Sequence, residues 1–454
     1  VSNRLLTGVR ARLTVSALAL LALSAGPVLA QDVGRMEQII RQSADREEFS
    51  GSVLVARGDQ ILLDQGYGLA NREWNIPNDG ETKFRLASVS KQFTAVAVML
   101  LNERGLVDLD APVKTYLPDA PESWDGVTVR HLLTHTSGIP NLTALPDFEA
   151  QKTRPATLDQ LIARFRDLPL EFQPDQGWSY SNSGYILLTA VIERASGMPY
   201  AAFVSRNLFQ PLGMTDSGYD SHAAVLPHRA SGYVPTPSGF ANADYVDMSI
   251  PQGAGGLYST TRDLLKWENG LFGGRLLNAA SLTALTTPHR NGYAMGLGVA
   301  PNATGAVIQH NGGIEGFNTF LAHDTGSDMT VIVLGNLNGP GPDKLGADLM
   351  TLARGGTVTL PEERQAVAVS AEALRAYEGV YDLAPEFSIT IAVVDGALTA
   401  QATGQQRLAL FPEGEDAFFL RVVDARITFS RDASGAVTGL VLHQGGREAP
   451  GPKR

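Results

Sequence analysis

Ser88-Val89-Ser90-Lys91 is the one place in this chain where a serine precedes a lysine by three residues. A hydroxyl and an amine at that spacing return to one face of a helix, just under a turn apart. An unprotonated Lys91 there can accept the serine proton and make Ser88 a nucleophile for acyl transfer. The free N–H groups of a first helical turn favour the negative charge such a reaction develops. Tyr180-Ser181-Asn182 is the only Tyr-x-Asn among twelve tyrosines, and its phenol and amide can flank a bound substrate. With a phenol pKa near 10, Tyr180 acts as a base only where a cation such as protonated Lys91 stabilises the phenolate. In His310-Asn311-Gly312-Gly313 the glycines let a ligand approach the backbone, and the Gly313 N–H can face an acyl oxygen.

These groups need elements to hold them. Phe84-Arg85-Leu86-Ala87 reads as a short extended entry to a helix that meets no Gly or Pro until Gly105, so Ser88 is expected at or near a helix N-terminus. A helix over 33–44 and a hairpin of 51–56 with 61–63 precede it, turning at Gly58-Asp59. Short helical patterns over 129–134, 158–166 and 184–196 make the middle mostly helical. Thr260 and Asp263 are spaced to cap a further helix. Strands return at 306–309, 319–322 and 329–334, placing His310 just past the end of one. Strands at both ends with helices between predict a domain whose terminal segments share a sheet.

The segment 338–368 loses periodicity and carries Gly355-Gly356, Pro361 and Glu362-Glu363-Arg364, marks of a linker. Beyond a short helix near Leu374 the pattern becomes strand-like to the end, with a hairpin turn at Asp395-Gly396. The expected organisation is a leader over 1–30, a catalytic domain over 31–355, a linker over 356–369 and an all-β domain over 370–454. The leader is read from Arg4, Arg10 and Arg12 ahead of an apolar run from Leu13 to Leu23, then Val28-Leu29-Ala30 before Gln31. That run is about a dozen residues against the roughly twenty of a membrane span, so a periplasmic or secreted bacterial protein without a stable membrane span is expected.

Composition excludes several classes. Cysteine is absent, which removes disulfides and thiolate metal sites. Net charge is −11, and loss of the leader's three arginines leaves 33 basic against 47 acidic residues. With no basic run, nucleic acid is not an expected partner. His131 and His135 stand four apart, but no glutamate follows His131 and no third ligand is evident, so no metal or cofactor is expected. A second His-x-Gly, His443-Gln444-Gly445, lies late in the all-β tail without a catalytic partner nearby and reads as a turn. Gly-x-Ser-x-Gly is absent, against the α/β-hydrolase route to an esterase. Trp267 reads as core.

Ser-x-x-Lys, Tyr-x-Asn and His-x-Gly in that order resemble the serine β-lactamase and penicillin-binding-protein superfamily, especially its class C-like branch. The stretches from Phe84 to Lys91, Leu106 to Val113, His131 to Gly138 and Ala254 to Thr260 look like that branch too, so the resemblance spans about residues 45–340. It implies an α/β (α+β) fold: an antiparallel sheet flanked by helices, plus a helical region. It also implies an acyl-enzyme mechanism in which Ser88 attacks, Lys91 and Tyr180 share proton transfer, Asn182 holds a substrate amide, and the N–H groups of Ser88 and Gly313 form the oxyanion hole. Either Lys91 or Tyr180 can be the base. Classical members carry Lys-Thr-Gly where this chain has His310-Asn311-Gly312, while esterase and D-amino-acid peptidase relatives commonly show the histidine. A histidine of ordinary pKa, about 6.5, attracts a substrate carboxylate less than lysine does. Ester or amide hydrolysis is therefore expected ahead of β-lactamase, D-alanyl-D-alanine carboxypeptidase or penicillin-binding action, and a non-enzymatic binding scaffold comes last. The partner is a small-molecule or peptide substrate with an ester, amide or lactam bond. If the charge of His310 matters, turnover of carboxylate-bearing substrates should change between about pH 5.5 and 7.5. The tail, with Tyr377-Glu378-Gly379-Val380-Tyr381 near its start, resembles the lipocalin-like domains appended to some such hydrolases and is expected to be barrel-like. It either shapes a wall of the cleft, binds a partner, or only stabilises without touching substrate.

Overall fold

The computed structural model describes residues 30–236, 239–360, 364–385, 387–394, 396–405, 407–420, 424–444 and 447–454. Apart from Ala30, the expected leader lies outside them. So do Pro361, Glu362 and Glu363 of the expected linker, Asp395 of the expected hairpin turn, and Gly445-Gly446.

In chain order the elements that frame the site are helix α1 (Ala30–Asp45), strands β1 (Gly51–Arg57) and β2 (Gln60–Tyr67), and helices α2 (Ser90–Glu103), α3 (Asn182–Ser196) and α4 (Thr261–Phe272). Strands β3 (Gly298–Pro301), β4 (Ala306–Ile314), β5 (Phe317–Asp324) and β6 (Met329–Gly335) follow, then helix α5 (Gly341–Ala353). The strands form one antiparallel sheet in the order β3-β4-β5-β6-β1-β2, so the first and last segments of the domain do share a sheet.

Strand periodicity explains the layers. Val53 and Val55 point to one face of β1, where they join Met36, Ile40, Val331, Val333, Leu345 and Leu349 under α1 and α5. Leu54 and Ala56 point to the other face and join Ile332, Leu334, Phe93 and the α2 and α3 residues of the main core. The register pairs Val53 with Val333, Leu54 with Ile332 and Val55 with Val331, so each pair meets on its own face. A sheet buried on both faces reads as an unbroken apolar run, as β1 and β6 do.

Two expectations need correction. The segment 338–368 holds a full helix, α5, that packs on β5 and β6. Its sequence hides it: Gly341 and Pro342 open the helix, where a missing N–H is tolerated, and Gly346 interrupts the pattern. A Cβ at Gly346 would stand 2.1 Å from the Phe320 ring, so close helix–sheet packing demands the glycine. Strand β4 also runs five residues past 309, carrying His310 to Ile314 inside the sheet, paired with Leu321 to Phe317.

The C-terminal segment has a core of its own, built on Tyr377, Tyr381, Ile389, Ile391, Phe418, Ile427, Phe429 and Leu440. Its strands are β7 (Gly379–Ala384), β8 (Phe387–Val394), β9 (Ala397–Ala402), β10 (Leu408–Ala409), β11 (Phe411–Gly414), β12 (Ala417–Phe419), β13 (Ala425–Arg431), β14 (Val437–Gln444) and β15 (Arg447–Pro452). Strands β7 to β10 form one sheet and β11 to β15 another, joined by a bridge between Tyr381 and Lys453. This agrees with the all-β, barrel-like expectation, although among the described residues the barrel is not fully closed. Asp424 links this segment to the rest through Lys344 of α5 at 3.3 Å.

Helix α4 is capped by Thr260, whose hydroxyl accepts from the Asp263 N–H as expected. The same helix buries Glu268, and burial pushes its carboxyl up to about 8. Its folded pKa exceeds its unfolded one, so the folded state holds more protons between about pH 4.5 and 8 and stability falls as pH rises through that interval. Glu268→Gln removes the term. Thermal denaturation from pH 5 to 8 should show the wild type losing stability relative to the variant, and parallel curves would refute this account.

Candidate active site

Ser88 is delivered by a small sheet in which Phe84–Arg85 pairs with Leu257–Ser259, which in turn pairs with Gly218–Tyr219. Buried Asp220 pins that sheet, accepting from Arg85 at 2.8 Å and Arg229 at 2.7 Å. The chain then turns sharply. Ala87 adopts a left-handed φ of 48°, a conformation costing a residue with a Cβ about 1–2 kcal/mol. Ser88 sits in the 3-10 turn Ala87–Val89 that runs directly into α2.

Neighbours fix this turn from two sides. The Leu86 carbonyl accepts from Thr319 Oγ1 of β5 at 2.8 Å, and Leu86 N–H donates to the Leu257 carbonyl at 2.8 Å. Gly312 of β4 lies against the same stretch. A Cβ there would stand 2.3 Å from the Leu86 carbonyl oxygen and 3.1 Å from the Ala87 Cβ. The glycine expected to admit a ligand therefore admits the backbone that leads into Ser88, while its neighbour Gly313 lines the open cleft beside Ser88.

Lys91 is fully buried on the first turn of α2. Its Nζ lies 2.8 Å from Asn182 Oδ1, 2.8 Å from the Ala254 carbonyl and 3.1 Å from Ser88 Oγ. Burial pushes its amine well below the ordinary lysine range. A neutral amine has two N–H donors and one lone pair. The first two partners only accept hydrogen bonds, so they take both donors, and the lone pair is left for the Ser88 hydroxyl. The sequence pair can thus do what its spacing suggests.

Each acceptor is itself held. Asn182 opens α3, takes Asn141 Oδ1 on its backbone N–H at 3.0 Å and donates Nδ2 to Thr143 Oγ1 at 3.1 Å, which orients Oδ1 toward Lys91. Asn182 is therefore a lysine partner as well as a cleft residue. The Ala254 carbonyl is set by the turn before it, where Gly253 donates N–H to Thr189 Oγ1 at 2.9 Å and accepts from Thr94 Oγ1 at 2.7 Å.

Tyr180 hydrogen-bonds Ser88 and covers Lys91, whose Nζ is 4.8 Å from its ring centroid. Burial raises its phenol above the ordinary range, with the Ser88 bond opposing more weakly. Burial thus keeps Tyr180 a phenol that can pass a proton.

His310 does not face the cleft. It is buried, with Nδ1 2.6 Å from the Asn311 carbonyl and Nε2 3.0 Å from the Tyr293 hydroxyl. Burial first, and a charge on Lys91 second, push its pKa down to about 4. The change expected between pH 5.5 and 7.5 rests on an ordinary histidine, and burial moves it below that window. Among the other histidines, His131 Nδ1 accepts the Thr128 N–H at a helix start and His443 of β14 bonds Thr428 of β13 in the C-terminal sheet, whereas His135 packs against the Tyr180 and Tyr293 rings. Trp267 is core as expected, donating to Gln92 Oε1 at 2.7 Å.

Ser88 opens onto a cleft of about 480 Å³. Leu142, Phe148, Ile186, Ile250 and Ile314 give it apolar walls, and its charged lining groups are Glu149 and Glu315. No Lys, Arg or His is among the described residues lining it. Lys152 joins the two acids from behind, at 2.5 and 2.7 Å. Sequence reasoning missed Ala87, the Ala254 carbonyl as a lysine acceptor, Tyr293 and this ionic bridge. Ala87 and Ala254 carried a signal only as members of the stretches 84–91 and 254–260, and Tyr293 and the bridge carried none.

Comparison with known proteins agrees with this geometry. The family model described as Beta-lactamase matches residues 36–354, and one described as a domain of unknown function (DUF3471) matches 363–450. A penicillin-binding protein of Bacillus subtilis (strain 168) is 29% identical over 443 residues, covering 91% of this chain and 97% of its own. Esterase EstB of Burkholderia gladioli is 35% identical over 267 residues, covering 51% of this chain and 68% of its own. The crystal structure of a D-amino acid amidase from Ochrobactrum anthropi SV3 superposes with a TM-score of 0.62 at 25% identity, covering 71% of this chain and 98% of its own.

The packing of Gly312 generates a test. Gly312→Ala should force the Leu86–Ala87 turn away, destabilise the fold by about 1–3 kcal/mol and depress hydrolysis more than Gly313→Ala. Denaturation curves and ester turnover check this, and an active, fully stable Gly312→Ala protein would contradict it.

Proposed function

Because this chain belongs to the beta-lactamase family of serine hydrolases, we propose that it hydrolyses carboxylic esters or amides with an apolar, uncharged acyl group through an acyl-enzyme at Ser88. The observation that carries the reading is the geometry of Lys91: a buried amine 3.1 Å from Ser88 Oγ, with Asn182 Oδ1 and the Ala254 carbonyl each 2.8 Å away as acceptors.

In the first half-reaction Lys91 takes the Ser88 proton as Oγ bonds to the substrate carbonyl carbon. The N–H groups of Ser88 and Gly313 stabilise the oxyanion, and both residues line the cleft. Collapse breaks the bond to the leaving group, which departs with a proton passed from Lys91 through the Tyr180 phenol. Water then attacks the acyl carbonyl, gives up its proton along the same path and releases the acid and Ser88.

The cleft lining supports the substrate class. A carboxylate beside the scissile bond, as penicillins and D-alanyl peptides carry, would meet Glu149 and Glu315 and no Lys, Arg or His among the described lining residues. The esterase and amidase among the similar proteins favour the same class. An exported setting, read from the apolar run of residues 13–23, belongs to the same proposal.

Intact-mass analysis after fluorophosphonate treatment should show one adduct, lost in Ser88→Ala. Lys91→Met should cut kcat roughly 10²–10⁴-fold and Tyr180→Phe by a smaller factor. Across a panel, short p-nitrophenyl esters and amino-acid amides should turn over faster than nitrocefin. Preferred nitrocefin turnover would overturn the substrate assignment, and an unlabelled Ser88 would overturn the chemistry.

A further inference from the structure

His310 stands where classical relatives of the resembling family carry a lysine, yet both of its ring nitrogens are occupied within the protein. The Asn311 carbonyl at 2.6 Å can only accept, so Nδ1 carries the proton. In the neutral ring Nε2 is then a lone pair, and its partner at 3.0 Å, the Tyr293 hydroxyl, donates to it. Neighbouring Tyr185 donates its own proton to the Leu133 carbonyl at 2.7 Å and meets Tyr293 as an acceptor, so Nε2 and the Tyr185 oxygen both draw on the single Tyr293 proton.

The groups that face this ring come from every side. Lys91 reaches it from α2, His135 from the turn after residues 129–133, Tyr180 from the segment before α3, and Tyr293 from the turn before β3. None of these is a carboxylate. A proton on Nε2 would have no counter-ion, would lie near Lys91, and would require the Tyr293 O–H to turn away inside a cluster packed with His135 and Trp178.

We propose that Tyr293 is a positioning residue: its hydroxyl occupies the Nε2 lone pair and holds His310 as an uncharged Nδ1–H ring behind Lys91, so that His310 is neither a carboxylate-binding group nor a proton carrier. The consequence for catalysis rests on the acyl-transfer reading above, whereas the state of the ring does not. A charged His310 would hold the Lys91 amine lower still and weaken it as a base. A neutral ring of fixed orientation leaves the lysine's basicity to burial alone.

The test uses the full chain with histidine labelled by nitrogen-15, and His310→Gln assigns the resonances. Between pH 5.5 and 8 His310 should show a protonated Nδ1 and a hydrogen-bonded, unprotonated Nε2, neither titrating. In Tyr293→Phe, which keeps the ring volume, the Nε2 resonance should move to the position of an unbonded acceptor. For a neutral ester, kcat should fall about tenfold, the worth of one buried hydrogen bond, with KM nearly unchanged. An Nε2–H tautomer in the wild type, titration of the ring within that range, or an Nε2 resonance indifferent to Tyr293→Phe would each overturn the assignment. The expected resonances in a protein that hydrolyses nothing would sink the acyl-transfer reading and leave the role of Tyr293 standing.

Discussion

A lysine amine taken out of water resists carrying charge, and the rest of the site is arranged around that constraint at Lys91. On an exposed helix the same residue would be an ammonium with no lone pair to offer. Here two carbonyl-type oxygens, from Asn182 and Ala254, take its donors without supplying a negative charge that would restore the proton. A carboxylate in either place would favour the ammonium and silence the base.

That arrangement demands precision from segments far apart in sequence. The lysine comes from α2, one acceptor from the start of α3, and the other from the turn before Leu257–Ser259. Thr94 and Thr189 lock α2 and α3 to that turn through Gly253, where a Cβ would stand 2.9 and 2.7 Å from their respective hydroxyl oxygens. The sheet contributes from the opposite side, where Gly312 and Thr319 clasp the Leu86–Ala87 turn. The left-handed φ of Ala87 is affordable because these contacts over-determine it. Burial on both faces of the sheet gives the rigidity behind this clasp.

The legible parts of the chain were those whose physics is local. Ser88 and Lys91 share a helical face through spacing alone, Thr260 caps α4 through its own hydroxyl, and alternation in β1 and β6 announces strands. Where a residue's meaning depends on a distant neighbour, the reading fell short. Glycines 312 and 313 seemed to end a strand because glycine is a poor strand former, yet in β4 the close approach of Leu86 requires one of them. Helix α5 was obscured by Gly346, whose reason is Phe320 on another element. His310 was read with a solvent pKa because nothing beside it in sequence tells that it is buried. Tyr293 carried no signal at all. Strand count in the tail foretold its all-β, barrel-like character, while the way its two sheets join, at Tyr381 and Lys453, depends on residues far apart in sequence.

The ionic bridge of Lys152 with Glu149 and Glu315 joins the short helix Phe148–Gln151 to the turn after β4. Among the described residues its ion pairs are separate from the hydrogen bonds that join Lys91 to Asn182 and the Ala254 carbonyl. The doorway of the molecule is thus built from different parts than its engine. Substitutions at the doorway can refit the enzyme to new cargo while the proton machinery stays intact, so a lineage carrying this scaffold can change its diet without relearning its chemistry.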